Sequence, residues 1–365
     1  MGFNCGIVGL PNVGKSTIFN ALTRGQALAA NYPFATIDPN VGVIAVPDKR
    51  LDVLTEIVPT KKVVPTTVEI VDIAGIVKGA SAGEGLGNQF LSHIAEVDAI
   101  IEVVRCFEDK DIVHVAGGVN PESDMDVIRT ELILKDMDAL AKHKTRLEKA
   151  VRAGDKKSQQ VMGLLERFEK AFNEGEPART VKLTPDEKIL LKEVNFVTAK
   201  PVLFAANVSE GELGKPDSAH VLKVRERAKK EGACVIKISG KVEEEISKLE
   251  PAEREEFLKA MGLEESGLDQ LAREGYKTLN LITFFTVGET ENKAWTVARG
   301  SSAPQSAGRI HSDFEKGFIR AEVISYSDFV KYRGEQGAKE QGRFRLEGKE
   351  YIVQDGDILH FRFSV

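Results

Sequence analysis

Gly9-Leu10-Pro11-Asn12-Val13-Gly14-Lys15-Ser16-Thr17 fills every fixed position of the pattern G-x-x-x-x-G-K-[ST]. A loop of this kind wraps backbone N–H groups around the phosphates of a nucleotide. Lys15 is then placed to reach the β and γ oxygens, and the Ser16 hydroxyl to bind Mg²⁺. The glycines let the backbone approach an anion closely. Phe3 to Val8 reads as a short apolar strand, and Thr17 to Thr23 opens a helix whose positive end would point at the phosphates. All of Asn12, Val13, Gly14, Lys15, Ser16 and Thr17 are expected nucleotide contacts.

Outward from this loop the chain alternates strands and helices. Val41–Val46, Thr66–Asp72, Ala99–Val104, Val202–Ala206 and Val235–Ile238 read as strands, with a polar helix over Asp217–Lys230. The rhythm predicts an α/β fold with a mostly parallel sheet and the phosphate site at the carboxyl ends of its strands. From Pro121 to Lys200 the rhythm breaks. Ile133, Leu140 and Leu147 recur every seven residues, Gly154-Asp155 signals a turn, and Val161, Leu164, Leu165, Phe168 and Phe172 form a second amphipathic run. This predicts an inserted antiparallel helical hairpin. Residues 135–200 carry 15 Lys+Arg against 11 Asp+Glu, and either a solvated helix surface or an RNA- or protein-contacting arm accounts for that. Beyond Leu279, short β-type runs (Leu281–Val287, Ala294–Val297, Ile319–Ile324, Glu350–Val353, Ile358–Phe363) predict a small α+β domain. The expected organisation is a nucleotide domain over 1–120 and 201–277, the helical insertion over 121–200, and the terminal domain over 278–365.

Composition bounds the alternatives. The chain has 365 residues, 42% apolar and 29% charged, which describes a globular protein of two or three domains. A net charge of −6 argues against bulk nucleic-acid binding through overall charge, and no DNA partner is expected. Cys5, Cys106 and Cys234 are widely spaced and odd in number, as reduced thiols of a cytoplasmic protein would be. The first residues enter a strand at once, so no secretory signal is expected, and no run of 18 apolar residues predicts a membrane span. A monomer is expected.

A phosphate loop needs a second Mg²⁺ contact and a sensor of the γ-phosphate. Asp72-Ile73-Ala74-Gly75 follows an apolar strand and fits the D-x-x-G type. Asp72 would hold Mg²⁺ through water, and the Gly75 N–H would bond the γ-phosphate. Between the two motifs lies Asn31-Tyr32-Pro33-Phe34-Ala35-Thr36, where Thr36 is a natural second hydroxyl for Mg²⁺ and Phe34 a nucleotide contact. Lys78 to Gly87 is too glycine-rich for a stable helix, and directly after the sensor it suits a nucleotide-ordered switch.

Taken with Gly83-Glu84-Gly85-Leu86-Gly87-Asn88-Gln89-Phe90-Leu91, these motifs resemble the Obg-related GTPases. The carboxyl-terminal part resembles a TGS domain. With the helical insertion between them, nearly the whole chain resembles the YchF subfamily of Obg-like ATPases.

Two departures from the usual GTPase pattern bear on function. A guanine site reads N-K-x-D, whereas Asn207-Val208-Ser209-Glu210 follows the strand here, which weakens guanine preference. The resemblance implies ATP and ADP as ligands, with Asn207 and the Val208 backbone as base contacts. A conventional GTPase in which Glu210 substitutes for Asp stays open. After Gly75, where a water-orienting Gln would stand, the chain has Ile76, so hydrolysis should be slow or use another group. Asn12 could help hold K⁺ beside the phosphates, as in related GTPases. His114 could orient water. Lys15, Gly75 and His114 are thus the catalytic candidates.

TGS-like domains accompany proteins of translation and stress signalling, so the resemblance implies ribosome or RNA contact. Residues 278–365 are charge-balanced, with 12 Lys+Arg and 12 Asp+Glu. Phe314 to Arg320 and Lys331-Tyr332-Arg333 interleave aromatics with cations, either as stacking surfaces or as the core of a small domain. The leading reading is a slow ATP-hydrolysing switch. A nucleotide-regulated ribosome- or RNA-binding factor without useful turnover competes with it.

Overall fold

The structure, a computed structural model, describes residues 3–28, 40–73, 86–109 and 118–364, with residues 25–28 and 86–89 described as helical backbone only. Phe34, Thr36, Gly75, Ile76 and His114 lie outside the described residues, as do the Asn31–Thr36 loop and most of the glycine-rich segment.

In chain order the strands are β1 (Asn4–Val8), β2 (Val41–Ala45), β3 (Val63–Val64), β4 (Thr67–Asp72), β5 (Ala99–Arg105), β6 (Val202–Asn207), β7 (Cys234–Ile238), β8 (Leu281–Thr286), β9 (Asn292–Ala298), β10 (Phe318–Ile324), β11 (Arg345–Glu347) and β12 (Ile358–Phe363). The helices that matter for the site are α1 (Lys15–Leu28), α2 (Lys49–Ile57), α3 (Leu86–Glu96), α4 (Pro121–Arg152), α5 (Lys156–Asn173), α6 (Pro185–Leu190), α7 (Ala219–Glu231) and α8 (Gly240–Ile246). The strands make two sheets, in the orders β2-β4-β1-β5-β6-β7 and β11-β10-β12-β8-β9-β3.

Packing groups the chain into two compact units: 3–43 with 69–271, and 44–68 with 272–365. In the first unit, β4, β1, β5, β6 and β7 run parallel to their neighbours. Every residue of β5 and β6 is buried, as expected of central strands covered on both faces. Helix α3 starts at Leu86, so Leu86 and Gly87 are helical although the glycine-rich run they close argued against a helix.

The inserted hairpin is built as its periodicity requires. Asn120 accepts a hydrogen bond from the Ser123 N–H, and Pro121 at the first helical position needs no donor partner, so α4 begins there. Gly154, at φ 86, makes the turn, and Asp155 caps α5 through the Ser158 N–H at 2.8 Å. Ile133, Leu140, Val161, Leu164, Leu165, Phe168 and Phe172 close one apolar cluster with Phe196. The first turns of α4 belong to a different cluster, because Met125, Ile128 and Leu132 pack in the core under the parallel sheet. The returning segment is tied to α4 by Asp136. This buried carboxylate accepts from the Val197 and Thr198 N–H groups at 2.7 and 2.8 Å and from the Thr198 hydroxyl at 2.6 Å.

In the second unit Ile44–Val68 joins the carboxyl-terminal residues. Strand β3 pairs with β9 in parallel, and Leu51 and Leu54 of α2 pack with Phe285, Ala294, Ile324 and Phe329. Phe318 is buried in the neighbouring cluster, and Phe314 stacks on Phe363 with ring centres 3.8 Å apart, so both are packing residues. Glu350–Val353 does not form the expected strand. Only an isolated bridge joins Ile352 to Ser302. A helix starts at Ala303, and its partner strand therefore ends before a ladder can grow.

Candidate functional site

The Gly9–Thr17 loop leaves β1 at Val8, as its sequence predicts, and enters α1 at Lys15, two residues before the expected helix start at Thr17. Its shape depends on two residues with left-handed backbone, Asn12 at φ 64 and Gly14 at φ 92. At Gly14 the missing side chain is obligatory for a second reason. A Cβ there would lie 2.1 Å from the Asn207 Nδ2. Gly9 is confined likewise, by the Val103 carbonyl at 3.0 Å and Val13 Cγ2 at 2.8 Å.

Asn207 stands at the end of β6 and is buried. Its Nδ2 donates to the Val13 carbonyl at 2.8 Å, and its Oδ1 accepts from the Gly240 N–H at 3.0 Å. One side chain therefore joins the phosphate loop, the central sheet and the start of α8. Gly240 is close-packed too, its absent Cβ facing Ile18 Cγ1 at 3.2 Å and Thr17 at 3.5 Å. The Val208 side chain is buried beneath the cleft, and its N–H donates to the Ile238 carbonyl at 2.8 Å.

Lys15 pairs with Asp72. The parallel register of β1 and β4 sets Asp72 beside Ile7, one strand away from the loop, and its N–H donates to the Asn40 carbonyl at 2.7 Å. With Lys15 half-buried and Ser16 exposed beside it, a cation, a hydroxyl and a carboxylate meet at the amino end of α1.

Lys15 and Ser16 face a cleft of about 1040 Å³, and Asp72 reaches it through its pairing with Lys15. Asn12, Gly14, Lys15, Ser16, Thr17, Asn207, Val208 and Glu210 all line it, although Lys15 and Glu210 are separated by almost 200 residues of chain. Val13 contributes its carbonyl to Asn207 and turns its buried side chain away. Sequence reasoning missed a third wall made by Phe107, Glu108 and Asp109 and a fourth by Ser239, Gly240 and Lys241. The third is held by Arg105, the buried last residue of β5. Its Nε donates to the Phe107 carbonyl at 3.1 Å, its Nη2 to the Asp109 carbonyl at 3.4 Å, and its guanidinium lies 4.6 Å over the Phe107 ring. The available signal was positional: both walls begin where a buried parallel strand ends. Cys106, between Arg105 and Phe107, is no nucleophile, because burial pushes its thiol up to about 12.

The donor set fits Mg²⁺. Ser16 and Asp72 offer hard oxygens, and among the described residues no group of three or more His, Cys, Asp or Glu could hold a metal by itself. Magnesium ordinarily takes one or two protein oxygens and fills its shell with water and phosphate.

A family described as "50S ribosome-binding GTPase" matches residues 4–131, and YchF-GTPase_C, described as "Protein of unknown function (DUF933)", matches residues 281–364. The chain is 54% identical to "Ribosome-binding ATPase YchF" of Pasteurella multocida over 365 residues, covering 100% of each chain. It is 54% identical to the protein of the same name from Bacillus subtilis over 366 residues, again covering 100% of each. Among solved structures it is similar to the YchF GTPase of Schizosaccharomyces pombe, with 38% identity, a TM-score of 0.89, and coverage of 99% of this chain and 98% of that one.

Proposed function

The chain belongs to the YchF subfamily of Obg-like P-loop GTPases, and from that premise we propose that it is a ribosome-associated switch that binds and slowly hydrolyses ATP. Its place is then the cytoplasm, with the ribosome as partner. The observation that carries the ATP reading is at residues 207–210. The lysine and aspartate that read guanine are absent, the buried Val208 side chain has no polar group to offer a base, and Glu210 sits exposed at the rim. A guanine edge would be left unpaired there, and unpaired polar groups in a binding site are what reject a ligand.

In this reading the loop amides and the amino end of α1 receive the phosphates, and Lys15 exchanges its Asp72 partner for the β and γ oxygens. Asn207 keeps one amide hydrogen and one lone pair beyond its two internal bonds, so it braces the loop and still touches the purine. Ser16 would hold Mg²⁺ directly and Asp72 through water, and the ion would supply positive charge beside the phosphates. Thr36, Phe34 and Gly75 complete the site from the two loops, with Gly75 sensing the γ-phosphate. Slow turnover follows from Ile76, an apolar side chain that cannot align water.

Side-by-side dissociation constants for ATP and GTP test this. ATP should bind at least tenfold more tightly, and Lys15→Ala should abolish both. GTP binding tighter than ATP would establish the conventional GTPase instead.

A further inference from the structure

The tip of the α4–α5 hairpin carries charge that the fold does not use. From Lys142 to Lys157 there are seven basic residues against Glu148 and Asp155, a balance of +5 in a chain of net −6. The two acids are already engaged. Glu148 pairs with Arg152 at 3.4 Å, and Asp155 is the cap of α5. Lys144 reaches across the hairpin to Glu169 at 2.8 Å. The other five, Lys142, Arg146, Lys149, Lys156 and Lys157, make no hydrogen bond or ion pair with any described residue, and each is exposed.

Their arrangement is ordered. Lys142, Arg146 and Lys149 stand at i, i+4 and i+7 and share one face of α4. They cover about 10 Å of helix axis at 1.5 Å per residue, and Lys156 and Lys157 follow across the Gly154 turn. The apolar seam that holds the two helices together reaches Leu147 and Val161, so it runs beneath Lys142 and Arg146 and ends before Lys149, Lys156 and Lys157. The tip is instead set by backbone caps. The Asp155 N–H donates to the Ala150 carbonyl at 3.1 Å, and the Gly154 N–H to the Val151 carbonyl at 3.0 Å. A ridge of exposed cations therefore runs along the outer end of the hairpin and past the end of its apolar seam.

We propose that this ridge binds the phosphate backbone of RNA. The inference rests on the ribosome-associated reading above and names the element and the chemistry that would make the contact. Phosphate is favoured over an acidic protein surface because the tip offers no anchor for one. No large apolar side chain between Lys135 and Lys188 is among the exposed hydrophobic residues, and protein interfaces are built on buried aromatic and aliphatic anchors while being poor in lysine. Backbone contacts of this kind fix position without reading sequence. No ion pair has to break before any of the five meets a phosphate.

The test uses the full chain with Lys142, Arg146, Lys149, Lys156 and Lys157 all replaced by Gln, which keeps helix propensity. Two binding measurements run in parallel, one with intact ribosomes by co-sedimentation and one with a protein-free ribosomal RNA fragment by anisotropy across a salt series. The wild-type chain should bind both. The variant should lose at least tenfold on each, and its log–log salt slope should fall by about three or more, at roughly 0.7–0.9 per lost phosphate contact. Unchanged ATP affinity and circular dichroism show that the fold is intact, and the five-arginine variant should restore binding. A Gln variant that still binds ribosomes and RNA like the wild type overturns the inference while leaving ribosome association standing. Ridge-dependent RNA binding without ribosome binding would support the ridge and refute ribosome association. Ridge-dependent ribosome binding that polyglutamate competes away while naked RNA neither binds nor competes overturns the choice of RNA in favour of an acidic protein.

Discussion

The Asn207 side-chain amide donates to the Val13 carbonyl at 2.8 Å, a contact between residues 194 positions apart that closes the phosphate loop against the sheet. Removing it as Asn207→Ala orphans two buried backbone groups, the Val13 carbonyl and the Gly240 N–H. Each such loss costs about 1–3 kcal/mol. The expected outcome is a chain destabilised by a few kcal/mol in urea unfolding and a nucleotide affinity weakened at least tenfold in calorimetric titration. Gly14→Ala should lose nucleotide affinity as severely, since a Cβ would strike the same amide and the φ of 92 is unfavourable for alanine. Wild-type affinity in either variant would show that the brace is not what shapes the loop.

Lys15 and Asp72 hold each other in this structure, so a nucleotide competes with the carboxylate for the lysine. Asp72→Asn separates two effects. Affinity for ADP in EDTA should stay the same or rise up to threefold, because Lys15 is released. The tightening of ATP binding by Mg²⁺ should fall at least tenfold, because the negative charge that holds the ion through its water is lost. If Mg²⁺ tightens ATP binding equally in both proteins, Asp72 does not serve the ion.

Turnover should depend on the monovalent cation. Asn12 adopts φ 64 within the loop, a conformation that asparagine tolerates and glycine adopts freely. Hydrolysis should run several-fold faster in KCl than in NaCl, and Asn12→Gly should remove the difference while preserving the backbone. Equal rates in the two salts would dismiss K⁺. His114→Ala should slow single-turnover hydrolysis tenfold or more, and an unchanged rate would leave the alignment of water to another group.

Glu102 on β5 gives a pH dependence. Burial first, and the neighbouring Glu231 second, push its carboxyl up to about 8. Between the ordinary glutamate range near pH 4.5 and about pH 8, the folded chain keeps a proton that the unfolded chain has lost. This group therefore lowers stability as pH rises through that window, by up to about 1.36 kcal/mol per unit, and its effect is level above it. Glu102→Gln should match the wild type near pH 5 and exceed it increasingly towards pH 8 in paired urea unfolding. A stability difference independent of pH would contradict the shift.

Much of this protein is legible in its sequence because the deciding interactions are local. The strand, loop and helix around Gly9–Thr17 follow from an apolar run, residues that tolerate left-handed backbone and a helix opening, all within about twenty residues. The hairpin follows from seven-residue spacing at Ile133, Leu140 and Leu147, and Phe314 and Phe318 gave notice of a packed core as one of two outcomes. What the sequence left undetermined was pairing over long separations. Tertiary structure alone turned Asn207 inward to brace Val13, set Arg105 beneath the Phe107–Asp109 wall, and reduced Glu350–Val353 to a single bridge at Ile352. It also placed Ile44–Val68 with the carboxyl-terminal unit, through a two-residue strand that carries no periodic signal of its own. Periodicity and backbone preference act over one or two turns of chain. Which distant groups meet is decided only when the whole sheet has formed and every buried donor must find its acceptor.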